Sequence, residues 1–135
     1  MPTVLLLERD PVRRHITGLI LRHGGGYTVL EAGATPEAMT YARRYQIDIV
    51  VIEASTRDVY SGGRATAEQL RKIHPGLRFL FVSSCPRDLL VEKGFLELKD
   101  RFLARPFTPR VLLERLELLL AASAHDSSAS ADGGA

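Results

Sequence analysis

The chain has 135 residues and a net charge of +2, with 45% hydrophobic and 25% charged residues. This length suits one domain with its own core, and the balance is that of a soluble globular protein. The small net charge and scattered arginines argue against direct binding of nucleic acid. The apolar runs are too short to span a bilayer, the start does not resemble a secretory signal, and the lone Cys85 excludes an internal disulfide. A cytoplasmic location is therefore expected.

Short apolar runs rich in β-branched and aromatic residues alternate with stretches of helical periodicity along the chain. The runs that predict strands cover residues 3–7, 27–30, 47–52, 77–82 and 101–103. Five repeats of strand followed by helix are typical of a parallel sheet with helices on both faces. The third and fourth runs are almost entirely apolar, as expected for central strands that are buried on both sides.

The predicted helices carry recognisable start signals. Asp10 before Pro11 is typical of an N-cap followed by proline at the first helical position, and Thr35 and Thr108 precede prolines in the same way. The apolar residues expected on one face of the first helix are Ile16, Leu19 and Ile20. Those expected to form the buried stripe of the last helix are Val111, Leu112, Leu116 and Leu119.

The composition changes abruptly at the end of the chain. Residues 123–135 are small and polar and end in glycines and an alanine, so they cannot bury a core. We therefore expect one domain over residues 1–122, followed by a disordered tail or linker over 123–135. Such a linker is compatible with an effector domain further along.

In an open parallel sheet, ligands bind outside the carboxyl ends of the strands. The polar residues that follow the predicted strands are Glu8, Arg9, Asp10, Glu53, Ser83 and Arg105. These positions resemble the receiver domain of two-component response regulators, and the resemblance covers residues 1–122. It implies a doubly wound, flavodoxin-like (βα)5 fold, with a parallel five-stranded sheet in the order 2-1-3-4-5.

The resemblance assigns a position to each of these residues. In VLLLERDP, Glu8 and Arg9 occupy the places of the family's acidic pair, and Asp10 follows them in the same pocket. In IDIVVIEAS, Glu53 occupies the place of the aspartate that accepts phosphate. Ser83 in FLFVSS matches the switch serine or threonine. In RFLARPF, Phe102 matches the switch aromatic, Arg105 the lysine position and Pro106 a proline expected to be cis.

Three of these positions depart from the family's pattern. Phosphoryl transfer to a carboxylate needs Mg²⁺, which prefers several oxygen ligands. Arg9 replaces one of those ligands with a cation, Glu53 is longer than aspartate, and Arg105 is bulkier than lysine. We expect Arg9 and Arg105 to pair with Glu53, which would replace metal and phosphate by protein groups.

The prediction is therefore a pseudo-receiver that takes no phosphate, binds Mg²⁺ weakly or not at all, and is no enzyme. It would signal through a protein partner or as a homodimer, using the face of the fourth helix, fifth strand and fifth helix. Two alternatives remain open. One is a phosphate-accepting receiver whose metal is held with help from Glu8 or Asp10. The other is a sensor of a small anion or nucleotide, with Arg57, Arg64 and Arg87 joining Arg9 and Arg105 at the rim of the pocket.

Overall fold

The computed structural model describes residues 1–54 and 63–133, with side chains through residue 122. Five strands form one parallel sheet in the order β2-β1-β3-β4-β5, as the sequence predicted. The strands are β1 (Thr3–Leu7), β2 (Thr28–Ala32), β3 (Ile49–Glu53), β4 (Arg78–Ser83) and β5 (Phe102–Ala104). The order in which strands are added to the sheet reverses between β1 and β3, which are neighbours: β2 lies on one side of β1, and β3, β4 and β5 follow on the other.

Five helices connect and flank the strands. They are α1 (Pro11–Leu19), which continues as a π-helical turn over Ile20–Gly24, then α2 (Thr35–Arg44), α3 (Gly63–Ile73), α4 (Arg87–Glu92) and α5 (Pro109–Gly133). In the part of the chain that the structure describes, no helix is both long and apolar enough to span a membrane. The helix α5 extends past the predicted domain boundary at residue 122, and the tail over 123–135 stays a prediction.

Each face of the sheet has its own apolar cluster, because side chains alternate along every strand. Leu7 and Ile52 belong to the cluster that packs against α2, α3 and α4. Leu6 and Val51, one position earlier, belong to the cluster that packs against α1 and α5. This alternation decides which strand-end side chains can meet.

The apolar face predicted for the first helix is confirmed only at Ile20, which is partly buried and packs against the cluster on the side of α5. Ile16 is 52% exposed and Leu19 is 39% exposed, whereas Thr17 and Gly18 are buried, as is Leu21 in the turn that follows. A Cβ at position 18 would lie 2.7 Å from Glu31 Oε2, so glycine allows α1 to approach β2 closely on this side. In α5, by contrast, Leu112 and Leu116 are fully buried, as expected.

Candidate functional site

Glu8 follows β1 and is almost completely buried. Its side chain is only 3% exposed, and its Oε2 accepts a hydrogen bond of 3.0 Å from the backbone N–H of Asp10. Its Oε1 lies 2.5 Å from Nη2 of Arg105, which follows β5. A buried carboxylate without such donors would be strongly unfavourable, so these contacts explain how Glu8 is accommodated.

Arg105 also donates to Glu53, through Nη1 to Oε1. The side chains of Arg105 and Glu53 are 16% and 11% exposed, respectively. The Arg105 backbone N–H donates to the Ser83 carbonyl at 2.9 Å, which fixes the start of this side chain beside β4. The Arg105–Pro106 peptide bond is cis. We call Glu8, Arg105 and Glu53 the Arg105 network. One cation bridges two carboxylates.

The expected arrangement of two arginines around Glu53 is therefore corrected to two carboxylates around Arg105. Arg9 is exposed and lines a cavity on the other side of the strand ends. Strand alternation explains this placement, since Arg9 is two positions after Leu7 and faces the side of α2 and α3. Glu8 directly follows Leu7 and Glu53 directly follows Ile52, so each glutamate comes one position after a residue on that side. The carboxylates of both glutamates bond Arg105.

Asp10 acts as the N-cap of α1. Its Oδ2 accepts a hydrogen bond of 2.7 Å from the backbone N–H of Arg13, in the geometry expected of a cap. Arg13 was not predicted as a site residue, yet its Nε lies 3.6 Å from Glu8 Oε1. The signal was available in the sequence, because side chains in the first helical turn lean back toward the N-terminus and hence toward the end of β1.

The two predicted switch positions lie in different environments. Ser83 at the end of β4 is fully buried, and its Oγ accepts a hydrogen bond of 3.0 Å from the backbone N–H of Cys85. Phe102 in β5 is partly buried, pairs with Phe81 of β4, and packs against the cluster on the side of α2, α3 and α4. A switching role for either residue stays a prediction.

Three of the arginines expected at an anion-binding rim are Arg57, Arg64 and Arg87. Arg57 lies outside the described residues, and the other two contact the segment after α4. Arg64 donates to the Gly94 carbonyl at 3.2 Å and pairs with Glu97 at 3.4 Å. Arg87 donates to the carbonyls of Leu98 and Asp100. Arg64 and Arg87 therefore contact the segment after α4.

A cavity of about 280 Å³ lies on the other side of the strand ends from the Arg105 network. It is bounded by the ends of β1 and β3 and by the first residues of α2 and α3. Its lining includes Leu7, Arg9, Thr35, Ile52 and Thr66. Glu53 borders both this cavity and a smaller one that contains Glu8 and Arg105.

No family model matches the chain. Two curated proteins do: over 120 residues, or 87% of this chain, it is 31% identical to the sensor kinase CckA of Brucella abortus and 28% identical to the probable transcriptional regulatory protein TcrX of Mycobacterium tuberculosis. The chain spans 12% of the first protein and 49% of the second. A CheY-like response regulator receiver domain protein from Methanospirillum hungatei superposes with a TM-score of 0.76 at 19% identity, covering 93% of this chain and 98% of that one.

The chain has the fold of a response-regulator receiver domain. In this fold the carboxyl ends of β1, β3 and β5 bring together Glu8, Glu53 and Arg105, three of the residues that the sequence singled out. Among the side chains of residues 1–54 and 63–122, no three His, Cys, Asp or Glu residues form a group that could hold a metal ion. The weak or absent binding of Mg²⁺ stays a prediction.

The charged side chains at this site therefore pair mainly with one another. Two carboxylates are held by a guanidinium at hydrogen-bonding distance, and a second guanidinium from Arg13 lies near Glu8. Such charge-assisted hydrogen bonds are the stronger kind in proteins. The guanidinium of Arg105 stabilises the negative charge of the Glu53 carboxylate, which lowers its reactivity toward a phosphodonor.

Proposed function

We propose that this receiver domain acts in two-component signalling through protein contact, and that phosphorylation does not set its state. The observation that carries the proposal is the bond between the Glu53 carboxylate and the Arg105 guanidinium, which also bonds Glu8 at 2.5 Å. Glu53 occupies the phosphate-accepting position by resemblance to the family. A carboxylate that is largely buried and paired with an internal cation reacts poorly, because the cation stabilises its negative charge and burial limits the access of a phosphodonor.

The donor set fits Mg²⁺ poorly. Mg²⁺ requires near-octahedral oxygen ligands and usually takes one or two carboxylates that are free to coordinate it. Here Glu8 accepts bonds from Arg105 and from the Asp10 amide, and Asp10 caps α1. Arg9 stands where the family has a second acid, and its positive charge repels a divalent cation. A phosphoryl transfer that depends on a bound Mg²⁺ is therefore disfavoured at this site.

The proposed contact surface is the face built from α4, β5 and α5, over residues 88–120. It exposes three leucines, with Leu89 at 39%, Leu98 at 74% and Leu118 at 66% exposure. Leu89 and Leu98 border an open groove that also includes Asp88 and Glu92. Exposed apolar side chains that cluster in this way favour protein association. The partner would be another protein or a second copy, in the cytoplasm, and an effector domain would follow the tail.

An amide NMR titration with beryllofluoride and Mg²⁺ tests the proposal. Beryllofluoride mimics an acyl phosphate on a receiver's acceptor carboxylate, so an active site responds with large shifts. We expect the amides of Glu53, Ser83 and Phe102 to keep their positions, while a phosphate-accepting receiver domain in the same buffer responds. Saturable shifts centred on Glu53 would overturn the proposal and favour the alternative of an active receiver with an altered metal site.

A further inference from the structure

The cavity beside Arg9 has the size and composition of a small-molecule site. Its volume of about 280 Å³ compares with the roughly 30 Å³ that one water occupies in the liquid, so it has room for about ten non-hydrogen atoms. Leu7 and Ile52 are buried and supply an apolar floor. Binding pockets for small molecules typically combine such a floor with a few polar groups that fix orientation.

The polar groups that line the cavity favour an anion. Arg9 contributes a guanidinium, which suits a carboxylate because its N–H groups form a planar fork. The hydroxyls of Thr35 and Thr66 lie 2.8 Å apart. Each hydroxyl carries one proton, and a bond between the two uses only one of them, so the pair retains one O–H for an acceptor in the cavity.

Glu53 is the negative group that borders the cavity, and the guanidinium of Arg105, which Glu53 shares with Glu8, partly offsets its charge from the opposite side. Its Oε1 accepts from Arg105, which does not line this cavity. An anion placed beside Arg9 would therefore face a carboxylate that already has a cation as its partner. This compensation lowers the repulsion that Glu53 would otherwise exert.

The location agrees with a general property of open parallel sheets. Ligands bind outside the carboxyl ends of the strands, at the point where the strand order reverses, and here that point lies between β1 and β3. The cavity opens there, with Leu7 at the end of β1 and Ile52 near the end of β3.

From these observations we infer that the cavity binds a small organic anion, namely a carboxylate with a compact apolar body. The carboxylate would lie between Arg9 and the hydroxyls of Thr35 and Thr66, and the apolar body would cover Leu7 and Ile52. This inference goes beyond the proposed function, because it holds whether or not Glu53 accepts phosphate.

Calorimetric titration and thermal unfolding with benzoate, cyclohexanecarboxylate and isobutyrate test the inference. Benzamide serves as the neutral analogue of benzoate, and inorganic phosphate as an anion without an apolar body. All titrations contain EDTA, so that metal-assisted phosphate binding near Glu53 cannot contribute. We expect at least one carboxylate to bind saturably and raise the unfolding temperature, with benzamide and phosphate binding at least tenfold more weakly. The inference is overturned if no carboxylate binds more tightly than benzamide.

Variants then locate the bound anion. Arg9→Gln should weaken carboxylate binding tenfold or more, and Thr66→Val should weaken it about threefold, since one hydroxyl contact is lost. The matched control is Arg44→Gln, because Arg44 is an exposed arginine at the far end of α2. The affinity of the Arg44→Gln variant for the carboxylate should stay within twofold of that of the unmodified chain. Equal losses in Arg9→Gln and Arg44→Gln would show nonspecific attraction to positive charge and would overturn the inference.

Discussion

Nη2 of Arg105 lies 2.5 Å from Oε1 of Glu8, although the two residues are 97 positions apart in the chain. Their strands, β1 and β5, are separated in the sheet by β3 and β4. The long guanidinium side chain spans this distance and also bonds Glu53 of β3 on the way. The Arg105 network therefore ties three strand ends together at the site where a phosphate-accepting receiver would do its chemistry.

Removal of the central cation should destabilise the fold. Arg105→Met keeps an apolar stem but leaves Glu8 and Glu53 without their bridging partner. Breaking a buried pair typically costs about 3–5 kcal/mol, so with Arg105 slightly exposed we expect a loss of about 2–4 kcal/mol in the free energy of unfolding. Urea denaturation measures the loss. Arg110→Met is the control, because Arg110 is 86% exposed and its pair with Glu114 should contribute about 0–1 kcal/mol.

A double-mutant cycle isolates the bond between Arg105 and Glu53. Glu53→Gln removes the negative charge and retains most of the side-chain volume. In the Arg105→Met background it should recover part of the lost stability, because one stranded carboxylate is gone. We expect a coupling energy above about 0.5 kcal/mol, because the effects of mutations at independent sites add to within about that value. Additive losses in the four urea curves would mean that the two side chains do not interact in solution.

Arg9 should matter far less for stability than Arg105. Its side chain is exposed, and it lines the cavity on the side of α2 and α3. We expect Arg9→Ala to change the free energy of unfolding by about 0–1 kcal/mol, as is usual for exposed charged residues. The same urea series measures it. A loss as large as that of Arg105→Met would instead support the arrangement that the sequence suggested, with Arg9 as a main partner of Glu53.

Asp10 should contribute to stability as a helix cap. Replacement of a capping aspartate by alanine typically costs about 0.5–2 kcal/mol, whereas asparagine is about as good a cap. We therefore expect Asp10→Ala to be destabilising and Asp10→Asn to be close to neutral in thermal unfolding without metal. If Asp10 were chiefly a metal ligand, both variants would behave alike without metal and would differ from the unmodified chain only when Mg²⁺ is added.

The sequence predicted the sheet well because its strand signals are strong. The apolar run that contains Ile49–Glu53 is too short and too β-branched for a surface helix, and it became the central strand β3. The outward face of α1 was missed because Ile16 and Leu19 have helical spacing, and periodicity alone does not say which face is buried. The close approach of Gly18 to Glu31 is a tertiary contact, which local pattern does not encode.

The members of the site could be predicted, but their pairing could not. Glu8, Glu53 and Arg105 follow strands, and parallel strands end at one edge, so their proximity follows from the fold. Which arginine reaches Glu53 depends on side-chain direction and reach. Strand alternation from Leu7 places Arg9 on the side of α2 and α3, and the first turn of α1 directs Arg13 toward Glu8, but neither pattern shows that Arg105 reaches both carboxylates.

Glu53, held by Arg105, should not accept phosphate. Intact-mass analysis of the full chain after incubation with acetyl phosphate and Mg²⁺ measures this, with a phosphate-accepting receiver domain as the positive control. We expect the mass of this chain to stay unchanged under conditions that modify the control. A stoichiometric phosphate adduct that disappears in Glu53→Gln would show that Glu53 accepts phosphate despite its bond to Arg105.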